Sequence, residues 1–124
     1  MAVDDVVRAY GAAWNEPHEA ARRKLLDEAW ADNGVYCDPI GRAEGRAALV
    51  EHIAGFHQQF EGHRIDLTSA VDEHDGFLRF TWVMAGPDGG NVMEGIDFGE
   101  LAPDGRLRRI TGFFGPLPTR TGNA

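Results

Sequence analysis

Cysteine is nearly absent: Cys37 is the only one in 124 residues. No disulfide can form within the chain, and a cysteine-rich zinc site cannot be built. Long apolar runs are missing too. No stretch approaches the roughly 18 residues of a membrane-spanning helix, so a membrane is not an expected partner. Hydrophobic residues still make up 43% of the chain, which supports a folded core rather than disorder. The opening MAVDDVVRAY carries two acids and no apolar run. It does not read as a secretory leader, and a cytoplasmic protein is the expectation. Basic residues are outnumbered, 12 Lys and Arg against 20 Asp and Glu, for a net charge of −8. The densest basic stretch, RLRR at 106–109, alternates within a strand pattern. Such a surface repels a phosphate backbone, so nucleic acid is not an expected partner. Several catalytic signatures are also lacking: a G-x-S-x-G elbow, a glycine-rich phosphate loop ahead of a helix, and an HExxH pair. His52 and His57 stand five apart, a poor match to the i, i+4 spacing of metal ligands, so no metal is expected. Of the five histidines, His57 is the one within reach of a pocket mouth.

What is present is a change of period. The length suits one domain spanning 1–124. Val3, Val6, Val7, Tyr10 and Trp14 keep helical spacing until Asn15 and Pro17 break it. A second helix is expected over about Glu19–Trp30, with Leu25, Leu26, Ala29 and Trp30 inward and Asn33-Gly34 as its stop. VYCDP reads as a short strand. A third helix, Arg46 to Phe60, lines up Leu49, Ile53, Phe56 and Phe60. After Gly62 the period falls to two. HRIDLTSAVD, GFLRFTWVMAG, NVMEGIDFGEL and RLRRITGFFG read as four strands. They are joined by turns at Asp75-Gly76, GPDGG and PDG, which supply the positive φ of tight hairpins. Helices first and strands last argue an α+β fold: a curved antiparallel sheet wrapped round three helices, with one pocket between.

Two acids stand out. In VYCDPIG a strand ends on Asp38, pinned by Pro39, with Gly41 close behind. A surface turn or helix cap would account for it; so would an acid aimed at a ligand. Asp97 shares its strand face with Met93, Gly95, Gly99 and Leu101. The strand before it presents Leu78, Phe80, Trp82 and Met84; the strand after, Ile110, Gly112 and Phe114. An acid among apolar groups and glycines resembles a cavity wall, and the flanking glycines either clear space for a ligand or bend the strand. Burial would raise the Asp97 pKa and let a neutral acid donate a hydrogen bond. The plain structural alternative is an arginine partner or a water-facing bulge. Alternation and the helix stripes give an expected lining of Tyr10, Trp14, Phe56, Phe80, Trp82, Met84, Asp97, Ile110 and Phe114.

Over residues 3–116 this layout resembles the nuclear transport factor two-like superfamily of cone-shaped folds, which includes SnoaL-type polyketide cyclases, limonene epoxide hydrolase and ketosteroid isomerase. RAYGAAW resembles the isomerase helix that carries an oxyanion-hole tyrosine, which places Tyr10 in that role. VYCDPIG resembles its Asp-Pro-x-Gly segment, which makes Asp38 the general base. GIDFGELAPDGRL resembles its strand with a second oxyanion-hole acid, which makes Asp97 that donor; ketosteroid isomerase keeps such an acid neutral so that it donates a hydrogen bond. Two departures stand beside the match. The family's supporting tyrosines correspond to Trp30 and Ile53, which removes their network. The interval from Tyr10 to Asp38 is longer by about four residues, around NEPH.

The resemblance implies a cofactor-free proton transfer on a small hydrophobic ketone, either double-bond isomerisation through an enolate or a SnoaL-type cyclisation. Asp38 would move the proton while Tyr10 and neutral Asp97 donate to the oxygen. Two other readings stay open: epoxide hydrolysis, which in this superfamily uses two acids and an arginine, and a non-catalytic small-molecule-binding or interaction module. A homodimer through the convex sheet face is expected, because Val83, Val92, Ile96, Phe98 and Phe113 would form an apolar patch there.

Overall fold

The computed structural model describes residues 2–122. Helix α1 (Val3–Asn15) buries Val6, Val7, Tyr10 and Trp14 on one stripe, as its spacing requires. Its last residue also serves the sheet. The Asn15 side-chain amide donates to the Ile65 carbonyl and accepts from the Ile65 N–H, both at 2.7 Å. It thereby covers part of a strand edge that would otherwise be open. Helix α2 (Glu19–Ala29) follows across NEPH. Arg22 is buried there, with its guanidinium donating to the carbonyls of Glu16, Pro17 and Val50. The extra loop residues are thus tied to helix α3 (Arg46–Gln59) by one side chain that bonds the loop carbonyls of Glu16 and Pro17 and a carbonyl inside the helix.

The chain then leaves helix for strand with no loop. Strand β1 (Trp30–Asp38) begins where α2 was expected to end on Trp30. Asn33-Gly34 does not stop a helix; it lies inside β1, at an irregularity in its pairing. Gly34 is required because the Trp30 indole lies across it, where a Cβ would overlap the ring nitrogen. Strand β2 (Gly41–Glu44), which the sequence did not reveal, returns from β1 as a hairpin whose register pairs Asp38 with Gly41. Pro39 and Ile40 are therefore the whole loop.

The remaining strands are β3 (Arg64–Leu67), β4 (Asp72–His74), β5 (Phe77–Ala85), β6 (Asn91–Leu101) and β7 (Leu107–Phe114). One strand was expected over 63–72. It is split because the Ser69 hydroxyl accepts the Thr81 N–H, replacing a rung of the ladder, before β4 resumes pairing with β5. The sheet runs β2-β1-β7-β6-β5-β3, with β4 also on β5. It is curved and unclosed, and it is mixed: β5–β6 and β6–β7 are antiparallel as expected, whereas β1 lies parallel to β7. The turn at Asp75-Gly76 has φ of 53° and 82°, the positive pair that a two-residue hairpin needs.

The core lies between the helices and the concave face of β5–β7. Leu78, Phe80, Trp82 and Met84 point in, and Phe77 and Arg79 point out. Among the described residues, no helix is long and apolar enough to cross a membrane.

Candidate active site

Asp38 ends β1 at the hairpin corner. The Ile40 N–H donates to its Oδ1 at 2.9 Å, and the Tyr36 hydroxyl donates to its Oδ2. The proline fixes the corner. The glycine makes room for a neighbour, since a Cβ on Gly41 would lie 2.6 Å from His52 Cε1. A turn explains where Asp38 sits, and Tyr36 explains where its carboxylate points.

Asp97 sits in the middle of β6, opposite Phe80 on β5 and Gly112 on β7, and is 6% exposed. No salt bridge reaches it among the described residues. Its Oδ1 accepts the Trp82 indole N–H at 3.0 Å. Burial pushes its carboxyl up to about 7; the Trp82 hydrogen bond opposes this, and the negative charge of Asp38 adds to it. Arg79 faces outward and pairs with Asp72, so it offers Asp97 no charge. The glycines beside Asp97 do not open the cavity. Gly95 is covered by the Trp82 indole, and Gly99 by Ile110 and Leu78. The glycine that accommodates the acid is Gly112. A Cβ there would stand 2.9 Å from Asp97 Oδ1, too close for that carboxyl to keep its place, and at an ordinary 3.5 Å from Asp38 Cβ.

Tyr10 is 2% exposed, and its pKa is raised well above the usual phenol value, first by burial and then by the charge of Asp97. Trp30 stacks on its ring at 5.6 Å and 19°. Ile53 is fully buried core. Where the isomerase resemblance would place supporting hydroxyls, Tyr10 thus has a stacked indole and an aliphatic neighbour. The Tyr36 phenol is also pushed up, chiefly by burial and then by Tyr10 and its bond to Asp38. Both phenols stay protonated at neutral pH, and that of Tyr36 donates to Asp38.

These groups line one cavity of about 320 Å³. Helix α1 contributes Tyr10 and Trp14, and α3 contributes Phe56. Strand β5 supplies Phe80, Trp82 and Met84; Asp97 and Phe114 come from β6 and β7, and Asp38 from β1. Ile110, expected in the wall, is not there. It is fully buried over Gly99 beside Leu78, in solid core, because its register partner has no side chain to hold it off.

Sequence reasoning missed Tyr36 and His52. Tyr36 stands two residues before Asp38 and so shares its strand face, a signal that alternation offered. His52 sits between Leu49, Ile53 and Phe56 on the inward stripe of α3, and its ring lies 5.1 Å from that of Tyr36. His57, the histidine expected at the mouth, does not line the cavity. Its Nε2 is buried without a partner, and its pKa is lowered by burial and by Arg22.

The charged residues lining the cavity are acidic, Asp38, Glu51 and Asp97, with His52 the one basic group and no lysine or arginine. Among the described residues no group of three His, Cys, Asp or Glu is placed to hold a metal ion. Chemically, the arrangement pairs a hydrogen-bonded carboxylate with an acid whose carboxyl is pushed up to about 7, and with neutral phenols, in an apolar space.

Residues 7–110 match the SnoaL-like domain family. Among solved structures, a candidate isomerase of the SnoaL-like family from Agrobacterium tumefaciens is 36% identical, with a TM-score of 0.87 over 94% of this chain and 100% of that one. A candidate SnoaL-like polyketide cyclase from Jannaschia is 15% identical (TM-score 0.68; 92% and 88% covered). A hypothetical protein with a ketosteroid isomerase-like fold from Catenulispora acidiphila, in complex with trimethylamine, is 16% identical (TM-score 0.71; 87% and 83% covered). These last two likenesses show the fold alone. No curated protein matches the chain significantly.

Proposed function

This chain belongs to the SnoaL-like domain family, and on that basis we propose that it is a cofactor-free proton-transfer enzyme for a small, uncharged, hydrophobic ketone. The observation that carries this reading is Asp97: a carboxyl pushed up to about 7, buried beside Tyr10 and a second acid in an apolar cavity. Asp38 is the base. It removes a proton alpha to the carbonyl, and Tyr10 and neutral Asp97 donate to the oxygen as negative charge develops there. Returning the proton to a different carbon isomerises a double bond. Attack of the enolate on a second carbonyl closes a ring instead. Tyr36, held neutral, keeps the Asp38 carboxylate in place.

The acidic lining supports an uncharged substrate over an anionic one, which would meet Asp38 and Glu51 without a lysine or arginine to compensate. The same lining weighs against epoxide hydrolysis by two acids and an arginine, since no guanidinium lines the cavity. The competing reading is a binding module of the same fold.

The test is proton exchange on a bound β,γ-unsaturated ketone in deuterated water, together with binding of a phenol series as enolate mimics. Asp38→Asn is expected to abolish exchange and leave binding nearly intact. If the wild-type protein binds phenols but exchanges no ketone proton, the module reading replaces the enzyme.

A further inference from the structure

Trp82 does more than line a wall. Across the β5–β6 ladder its partner is Gly95, and its indole lies flat over that bare backbone, where a Cβ would overlap the ring. The Phe114 ring, on β7 beyond β6, meets it nearly perpendicular, at 5.9 Å and 87°. Confined on both sides, the ring reaches along β6 and places Nε1 3.0 Å from Asp97 Oδ1.

An indole N–H can only donate, and a neutral carboxylic acid has one hydroxyl oxygen and one carbonyl oxygen. The carbonyl oxygen is the stronger acceptor of the two, so an N–H fixed on Oδ1 favours the tautomer in which Oδ1 is the carbonyl. We infer that Trp82 is a positioning residue: its indole N–H holds Oδ1 of Asp97 as the carbonyl oxygen, so that the acid's single proton sits on Oδ2 and is the one that hydrogen-bonds a substrate oxygen. The assignment of that proton to a substrate rests on the proton-transfer reading above; the Trp82–Asp97 bond does not. Trp82 also favours the ionised acid and so restrains the upward push of burial. The titratable groups around Asp97 are Asp38 and Tyr36 on β1 and Tyr10 on α1, with His52 of α3 against the Tyr36 ring. Its register partners, Phe80 and Gly112, carry none.

The experiment follows the Asp97 carboxyl carbon by NMR across pH in the wild type and in Trp82→Phe, beside the pH profile of phenol binding. In Trp82→Phe the Asp97 midpoint is expected to rise by about one unit, and the alkaline limb of phenol binding to move with it. In the wild type, the Trp82 indole N–H resonance is expected to titrate at the Asp97 midpoint and to become pH-independent in Asp97→Asn. This last measurement needs no Trp82 variant, so a poorly folded Trp82→Phe does not shelter the inference. An Asp97 midpoint that stays put in folded Trp82→Phe, or a wild-type Trp82 resonance blind to pH, overturns it. A shifted midpoint in a protein that neither binds phenols nor exchanges ketone protons sinks the reaction and sustains the Trp82 assignment.

Discussion

At Gly112 a hydrogen atom stands where a methyl would crowd the Asp97 carboxyl. The burial of Asp97 has a thermodynamic sign. Its folded pKa, about 7, lies above the unfolded value near 4. Between those values the folded state keeps a proton that the unfolded state has lost, so stability falls as pH rises and levels off above about 7. The full difference is roughly 4 kcal/mol. Urea midpoints at pH 5 and pH 8 are expected to differ much less in Asp97→Asn than in the wild type, with the variant gaining at the alkaline end. Equal slopes would place the Asp97 proton elsewhere. The position of this acid was legible because strand alternation puts it on the apolar face. Its glycine was not. Sequence marks Gly95, Gly99 and Gly112 alike, and only the neighbours' rings and side chains show which position is filled and which receives a carboxyl.

Among the elements, β5, β6 and β7 were readable because each alternates cleanly and adjacent strands join through Asp-Gly or Gly-rich turns, so that register follows locally. The β1–β2 hairpin was not. Gly34 looks like a helix stop because Asn-Gly usually is one, yet here glycine yields to the Trp30 indole. His52 was passed over because a histidine inside an apolar helical stripe carries no period of its own. The Gly34–Trp30 contact supports a prediction. Gly34→Ala must displace an indole that is fully buried and stacked on Tyr10. A loss of about 1–3 kcal/mol is expected from the overpacking, with weakened phenol binding as Tyr10 tilts. Thermal unfolding and a binding titration check the two effects, and unchanged phenol affinity would separate Trp30 from the placement of Tyr10.

For the whole molecule, the outer face of the sheet is the conspicuous surface. Val92, Phe98 and Phe113 are 57%, 41% and 53% exposed, and the two phenylalanine rings meet edge-on at 5.8 Å. Val83 and Ile96 lie half-buried on the same face. We propose that a second copy of the chain covers this patch. Light scattering at micromolar concentration should give twice the chain mass, and Phe98→Asp with Phe113→Asp should give the single mass with the fold intact. A monomer in the wild type removes the proposal.

The parallel pairing of β1 with β7 also sets a timetable. Cys37 and Thr111 meet across a separation of 74 residues, whereas β5, β6 and β7 join through short turns. Contacts this distant in the chain form slowly, because the loop between them must close before it is rewarded. The wall that carries Asp97 can therefore assemble from neighbours, while Asp38 arrives only when β1 docks. During synthesis the segment bearing Asp38 emerges well before β7, so β1 has no β7 edge to pair with until that strand has been made.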